Sequence, residues 1–118
     1  MTSQQGHIIF VDDDEEDHLI MSEYFREAGK GDCIKFIKNG QEALNYLNDI
    51  SDDASLPSLI VLDLNMPILS GTQTLALLKE DPRYRKIPVL IFSTSENENE
   101  KRKCLTLGAH EYIVKPTT

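Results

Sequence analysis

The chain has 118 residues, 40% of them hydrophobic, and carries a formal net charge of −8 at neutral pH. That length suits one compact domain spanning 1–118, the apolar content excludes a chain disordered by composition, and no apolar run approaches the roughly 20 residues of a membrane helix. The acidic balance argues against direct nucleic-acid binding, which needs a basic face, and Met1 to His7 carry neither the basic nor the apolar region of a signal peptide, so a cytoplasmic location is expected.

In chain order, Ile8-Ile9-Phe10-Val11 is a continuous apolar run of strand length, and an acidic run from Asp12 to Asp17 follows it. Leu19, Ile20, Tyr24, Phe25 and Ala28 then recur at helical spacing, and Gly29 and Gly31 end that helix. Ile34-Lys35-Phe36-Ile37 reads as an edge strand because a lysine interrupts it. A second helix starts near Asn39-Gly40 and carries Ala43, Leu44 and Leu47, and residues 49–57 read as a polar loop. Leu59-Ile60-Val61-Leu62 is a third strand, and a helix through Thr74, Leu75, Leu78 and Lys79 stops before Pro82. Val89-Leu90-Ile91-Phe92, a helix from Glu98 to Leu107 closed by Gly108, and Tyr112-Ile113-Val114 complete the series. The first, third and fourth strands are apolar throughout, which predicts burial on both faces.

Alternating strands and helices imply an α/β fold with a doubly wound parallel sheet and right-handed crossovers. Such sheets place their site at the carboxyl ends of the strands. Asp12 and Asp13 follow the first strand, Asp63 the third, Ser93, Thr94 and Ser95 the fourth, and Lys115-Pro116 the fifth. Three carboxylates brought together need a cation. A hard divalent ion such as Mg²⁺ fits an oxygen donor set, while a lysine and a hydroxyl suit phosphate oxygens. Carboxylate nucleophile, metal, lysine and hydroxyl together make a phosphoryl-transfer site.

In these motifs, Asp12-Asp13, Asp63-Leu64-Asn65-Met66-Pro67 with Gly71, Ser93, and Tyr112 with Lys115-Pro116, the chain resembles the response-regulator receiver family of two-component signalling from about residue 6 to 116. Each piece alone is weak; all of them in order, after the correct strands, are specific. The resemblance implies a flavodoxin-like fold of five parallel strands in the order 2-1-3-4-5. It implies that Asp63 is the phospho-acceptor, and that Asp12, Asp13, Asp63 and the carbonyl of Asn65 hold Mg²⁺. It further implies that Lys115 contacts the phosphoryl oxygens, that the Lys115-Pro116 bond is cis, and that Ser93 and Tyr112 form a switch. The implied partners are a sensor histidine kinase or phosphotransfer domain and a downstream protein. The implied chemistry is self-catalysed transfer and loss of the phosphoryl group, without enzymatic turnover on other substrates.

Plainer readings stand beside these. Asp14 suits a helix N-cap, and Glu15, Glu16 and Asp17 suit the positive end of the helix dipole. His7, His18 and His110 read as surface or loop residues, and Tyr112 as packing as much as switch. Cys33 and Cys104 lie far apart without a CxxC pair, so neither a disulfide framework nor a zinc site is expected. A phosphatase of the haloacid dehalogenase type would need an aspartate where Asn65 stands. A flavin binder would need a phosphate cradle where the acidic run stands. Two departures from the family pattern are Thr94, larger than is usual there and able to narrow access, and the chain's end at Thr118. The family's fifth helix would be absent, leaving an apolar strip of sheet that further chain, a partner or a second copy in a homodimer would cover.

Overall fold

The apolar runs pair as five parallel strands, and amphipathic segments fold back across them as helices. The structure, a computed structural model, describes residues 7–29 and 31–115. The strands are β1 (Ile8–Val11), β2 (Ile34–Ile37), β3 (Leu59–Leu62), β4 (Val89–Ser93) and β5 (Glu111–Val114). The helices are α1 (Glu15–Glu27), α2 (Gly40–Asn48), α3 (Gly71–Glu80) and α4 (Glu98–Leu107). The sheet order is β2-β1-β3-β4-β5, as the resemblance implies, with β5 and the lysine-bearing β2 at the edges.

Side-chain capping fixes each helix start. Asp14 accepts from the Glu16 N–H, Asn39 from Glu42, Ser70 from Gln73, and Asn97 from Asn99 and Glu100. Gly108 closes α4 at φ +116°, a left-handed conformation that a side chain would strain. The loop expected over 49–57 contains a short 3₁₀ turn, Asp53–Ser55. The Arg83 guanidinium holds that region, donating to Asp53 and to the Ile50 carbonyl.

One face of the sheet is a closed core. Ile9, Val11, Ile60, Leu62, Val89 and Ile91 are buried there against Ala43 and Leu47 of α2, Leu75 and Leu78 of α3, and Cys104 of α4. The opposite face is thinner, and here the expectation of strands buried on both sides needs correction. β1 meets it, because Phe10 is sealed among Phe36, Phe92 and His18. In β3 and β4 buried residues alternate with half-buried ones. The reason lies in α1, the helix of that face, which buries none of its residues and leaves Leu19, Ile20 and Tyr24 70%, 66% and 70% exposed. Among the described residues no helix follows β5, where Ile113 and Val114 are also exposed. Among them, too, no helix is long and apolar enough to cross a membrane.

Strand register levels the carboxyl ends. Val11 lies opposite both Ile37 and Leu62, and Ser93 opposite Val114. The residues that follow the strands therefore open onto one rim.

Candidate functional site

The ladder hydrogen bonds run one residue past the strands and pin the rim. The Asp12 N–H donates to the Ile37 carbonyl at 3.0 Å, Asp63 to Val11 at 2.9 Å, and Lys115 to Ser93 at 2.7 Å. Three side chains from distant parts of the sequence thus start from rigid backbone, as a preorganised site requires.

Asp12 is fully buried, and each of its oxygens is engaged. Oδ1 accepts from the Asp14 N–H at 2.9 Å, Oδ2 receives Lys115 Nζ at 2.8 Å, and the backbone carbonyl accepts from His18 Nε2 at 2.5 Å. Asp13 next to it is exposed. Asp63 is buried across the rim. The loop after Asp63 is clamped where the Gly71 N–H donates to the Leu64 carbonyl at 2.9 Å. A Cβ at Gly71 would stand 2.1 Å from the Asp63 carbonyl oxygen and 2.6 Å from Leu64 Cα, so the motif's glycine is a packing requirement. Within the same loop Ile68 has φ +71°, with a Leu69 N–H to Pro67 carbonyl bond of 2.7 Å. Such a turn is strained for a β-branched residue.

Asp12, Asp13 and Asp63 each offer an oxygen within 4.8 Å of the others. Such crowding is costly. Burial, reinforced by the negative charge of Asp12 and opposed by Lys115, lifts the Asp63 carboxyl from its ordinary 3.8 to about 6. Burial also raises Asp12, against the pull of Lys115. Lys115 is held above its ordinary range: burial pushes it down, but its bonds to Asp12 and Asp17 and the charge of Asp63 outweigh that. One ammonium cannot balance the set, and oxygen donors so arranged fit a hard divalent ion.

Lys115 Nζ lies 2.8 Å from Asp12, 2.6 Å from Asp17 and 3.5 Å from Asp63. Ser93 is fully buried, and its Oγ accepts from the Ser95 N–H at 3.1 Å. Tyr112 is buried, with its hydroxyl donating to the Ser95 carbonyl at 2.8 Å, so one short loop joins the two residues expected to switch. Thr94 is exposed and lines a cleft with Asp17, Ile20, Phe92 and Lys115. Asn65 is exposed two residues beyond Asp63, and among the described residues no backbone N–H donates to its carbonyl. The Lys115-Pro116 bond lies outside the described residues.

Two residues differ from their sequence reading. His18 is no surface residue: its ring packs 5.8 Å from Phe10 and 5.0 Å from Phe36 and ties α1 to the acidic loop. Asp17, read as a helix-dipole residue, pairs with Lys115. Its spacing signals neither role, since both depend on how α1 is rotated against the sheet.

The family described as "Response regulator receiver domain" matches residues 8–118. Among curated proteins, the probable methanogenesis regulatory protein FilR2 of Methanothrix harundinacea is 29% identical over 110 residues, covering 92% of this chain and 71% of that protein. Among solved structures, the phosphorylated cyanobacterial phytochrome response regulator RcpA superposes with a TM-score of 0.85 at 32% identity, covering 97% of this chain and 84% of that one. The Mn²⁺-bound form of response regulator Rcp1 gives 0.84 at 27%, covering 97% and 84%.

Proposed function

From the premise that this chain belongs to the response-regulator receiver family of two-component signalling, we propose that Asp63 is its phosphoryl acceptor and that the reaction depends on a divalent cation, Mg²⁺ in the cell. The observation that carries this reading is the convergence of Asp12, Asp13 and Asp63 within 4.8 Å, with Lys115 beside them.

In the proposed reaction a carboxylate oxygen of Asp63 attacks the phosphorus of a phosphohistidine on a sensor kinase or phosphotransfer domain. The new O–P bond forms as the P–N bond breaks, and the electron pair leaves with the imidazole. Asp63 must be ionised to attack, and its ladder bond keeps the carboxylate at the rim. Lys115 would donate to the equatorial oxygens of the moving group, where charge neutralisation supplies most of the catalysis. Asp12, Asp13, Asp63 and the Asn65 carbonyl are the residues that would hold the cation, which when bound neutralises charge on phosphoryl and carboxylate oxygens. Manganese in the Rcp1 relative supports a divalent occupant for this donor set.

Once Asp63 carries the phosphoryl group, the hydroxyl of Ser93 would turn to it and give up the Ser95 N–H. Tyr112 hangs from the same residue's carbonyl, so the local charge event would reach the exposed α4–β5 side, where a downstream protein or a second copy would read it. The role is that of a cytoplasmic signalling protein that modifies itself, without turnover on other substrates. Asn65 supports this over phosphomonoester hydrolysis, because an amide is no general acid.

The test is to trap the acyl phosphate. After incubation with acetyl phosphate and Mg²⁺, borohydride reduction and peptide mapping should mark Asp63. A mark on another residue, with Asp63 unmodified, refutes the assignment.

A further inference from the structure

Three carboxylates share the ammonium of Lys115, and one of them, Asp17, stands outside the acidic set of Asp12, Asp13 and Asp63. Its Oδ2 receives Nζ at 2.6 Å, closer than either Asp12 at 2.8 Å or Asp63 at 3.5 Å. The two side chains are only 11% and 22% exposed. This is not the solvated surface pair whose contribution is negligible.

The start of α1 explains why Asp17 is available. It stands three residues after the N-cap Asp14, where a Glu or Gln commonly reaches back to the N–H of the cap residue. α3 closes such a box between Ser70 and Gln73. In α1 the Asp14 N–H is already taken by Asp12 Oδ1 at 2.9 Å. The Asp17 carboxylate turns instead across the rim to a lysine 98 residues away in the chain.

An ammonium has three N–H donors. Asp12 and Asp17 take two at short range. The third is left for Asp63, at 3.5 Å too far for a strong bond to the carboxylate itself but with room for an oxygen carried on it. Asp12 also belongs to the set suited to a divalent ion, whose charge would repel the ammonium. Asp17 is free of that set and is the partner able to hold Lys115 in place when a cation is bound. We propose that Asp17 is a positioning residue, fixing Lys115 so that one donor is ready for the phosphoryl oxygens arriving at Asp63. The proposal rests on Asp63 being the acceptor.

The test compares labelling rates by acetyl phosphate in Mg²⁺, read by intact mass, for wild type, Asp17→Asn, Asp17→Glu, Lys115→Ala and the Asp17→Asn/Lys115→Ala double variant. Loss of one charge-assisted bond should slow Asp17→Asn about tenfold, about 1.4 kcal/mol. Asp17→Glu should recover part of the rate. Asp17→Asn should add no slowing once Lys115 is gone, because it acts through that residue. Asp17→Ser, which also suits a helix start, replaces Asp17→Asn should the latter not fold. A second readout needs neither metal nor donor: a protected ammonium signal in ¹⁵N NMR of the lysines, identified by its loss in Lys115→Ala, should vanish in Asp17→Asn. Labelling at the wild-type rate in folded Asp17→Asn, equal slowing with and without Lys115, or persistence of the protected signal each overturns the positioning role while leaving Asp63 as acceptor. Failure of the wild type to label overturns the acceptor reading, and this proposal with it.

Discussion

Replacing Asp63 with asparagine should stabilise the metal-free protein, and by an amount that depends on pH. Asp63 is buried beside Asp12, and its carboxyl titrates near 6 in place of the ordinary 3.8. The folded state therefore holds this proton more tightly than the unfolded chain does. Below about pH 3 both states are protonated and the residue costs nothing. Between about 3.8 and 6 the unfolded chain ionises while the folded protein keeps its proton, so stability falls across that window and levels off above it, where the folded protein carries a buried carboxylate. The displacement from 3.8 to about 6 corresponds to about 3 kcal/mol once the group is fully ionised. With local rearrangement around the amide, Asp63→Asn should gain about 1–3 kcal/mol at about pH 8. For a domain of this size that is a rise in Tm of about 4–12 °C. Thermal unfolding followed by circular dichroism, in chelator, is the assay, and the gain should be about half as large at about pH 5. Mg²⁺ should then reverse the order, since it stabilises by mass action only the protein that binds it. An Asp63→Asn protein less stable than wild type at pH 8, or a gain equal at both pH values, would refute the reasoning.

The loop after Asp63 yields two further predictions of opposite sign. Gly71→Ala forces a methyl against the Asp63 carbonyl and the Leu64 backbone, so it should cost about 2–3 kcal/mol and lower the labelling rate together with the Tm. Ile68→Gly relieves a positive φ at a side chain that is 78% exposed, and should raise stability by about 1 kcal/mol in denaturant titration. On the closed face, Leu75→Ala should cost about 2–5 kcal/mol by the same titration, because the side chain is fully buried between α3 and the sheet. Ser93→Ala leaves the Ser95 N–H without its acceptor, and should cost about 1 kcal/mol in the unphosphorylated protein.

Much of this molecule was legible in the order of its residues, for local reasons. Four-residue apolar runs such as Leu59–Leu62 leave few alternatives to buried strand, and Asp14, Asn39 and Asn97 mark helix starts by the bonds they alone can make. The site was legible because register converts sequence position into space: a residue directly after a strand lands on the rim. What depended on the rotation of a helix against the sheet was not legible. The spacing of the apolar residues of α1 marks a helix but not its rotation: Leu19, Ile20 and Tyr24 face outward, while His18 turns in between Phe10 and Phe36. Asp17 went unrecognised for the same reason. Nothing within α1 distinguishes a carboxylate serving the helix dipole from one gripping a lysine just after β5. The half-open β3 and β4 likewise follow from how little α1 covers, which the strands' own composition does not report.

The most direct test of the central claim is intact mass after incubation with acetyl phosphate, with and without Mg²⁺, for wild type and Asp63→Asn. The account predicts a gain of one phosphoryl group by the wild type in Mg²⁺, none in chelator, and none by Asp63→Asn under either condition. No gain by folded wild-type protein that demonstrably binds Mg²⁺, or an equal gain by Asp63→Asn, would contradict it.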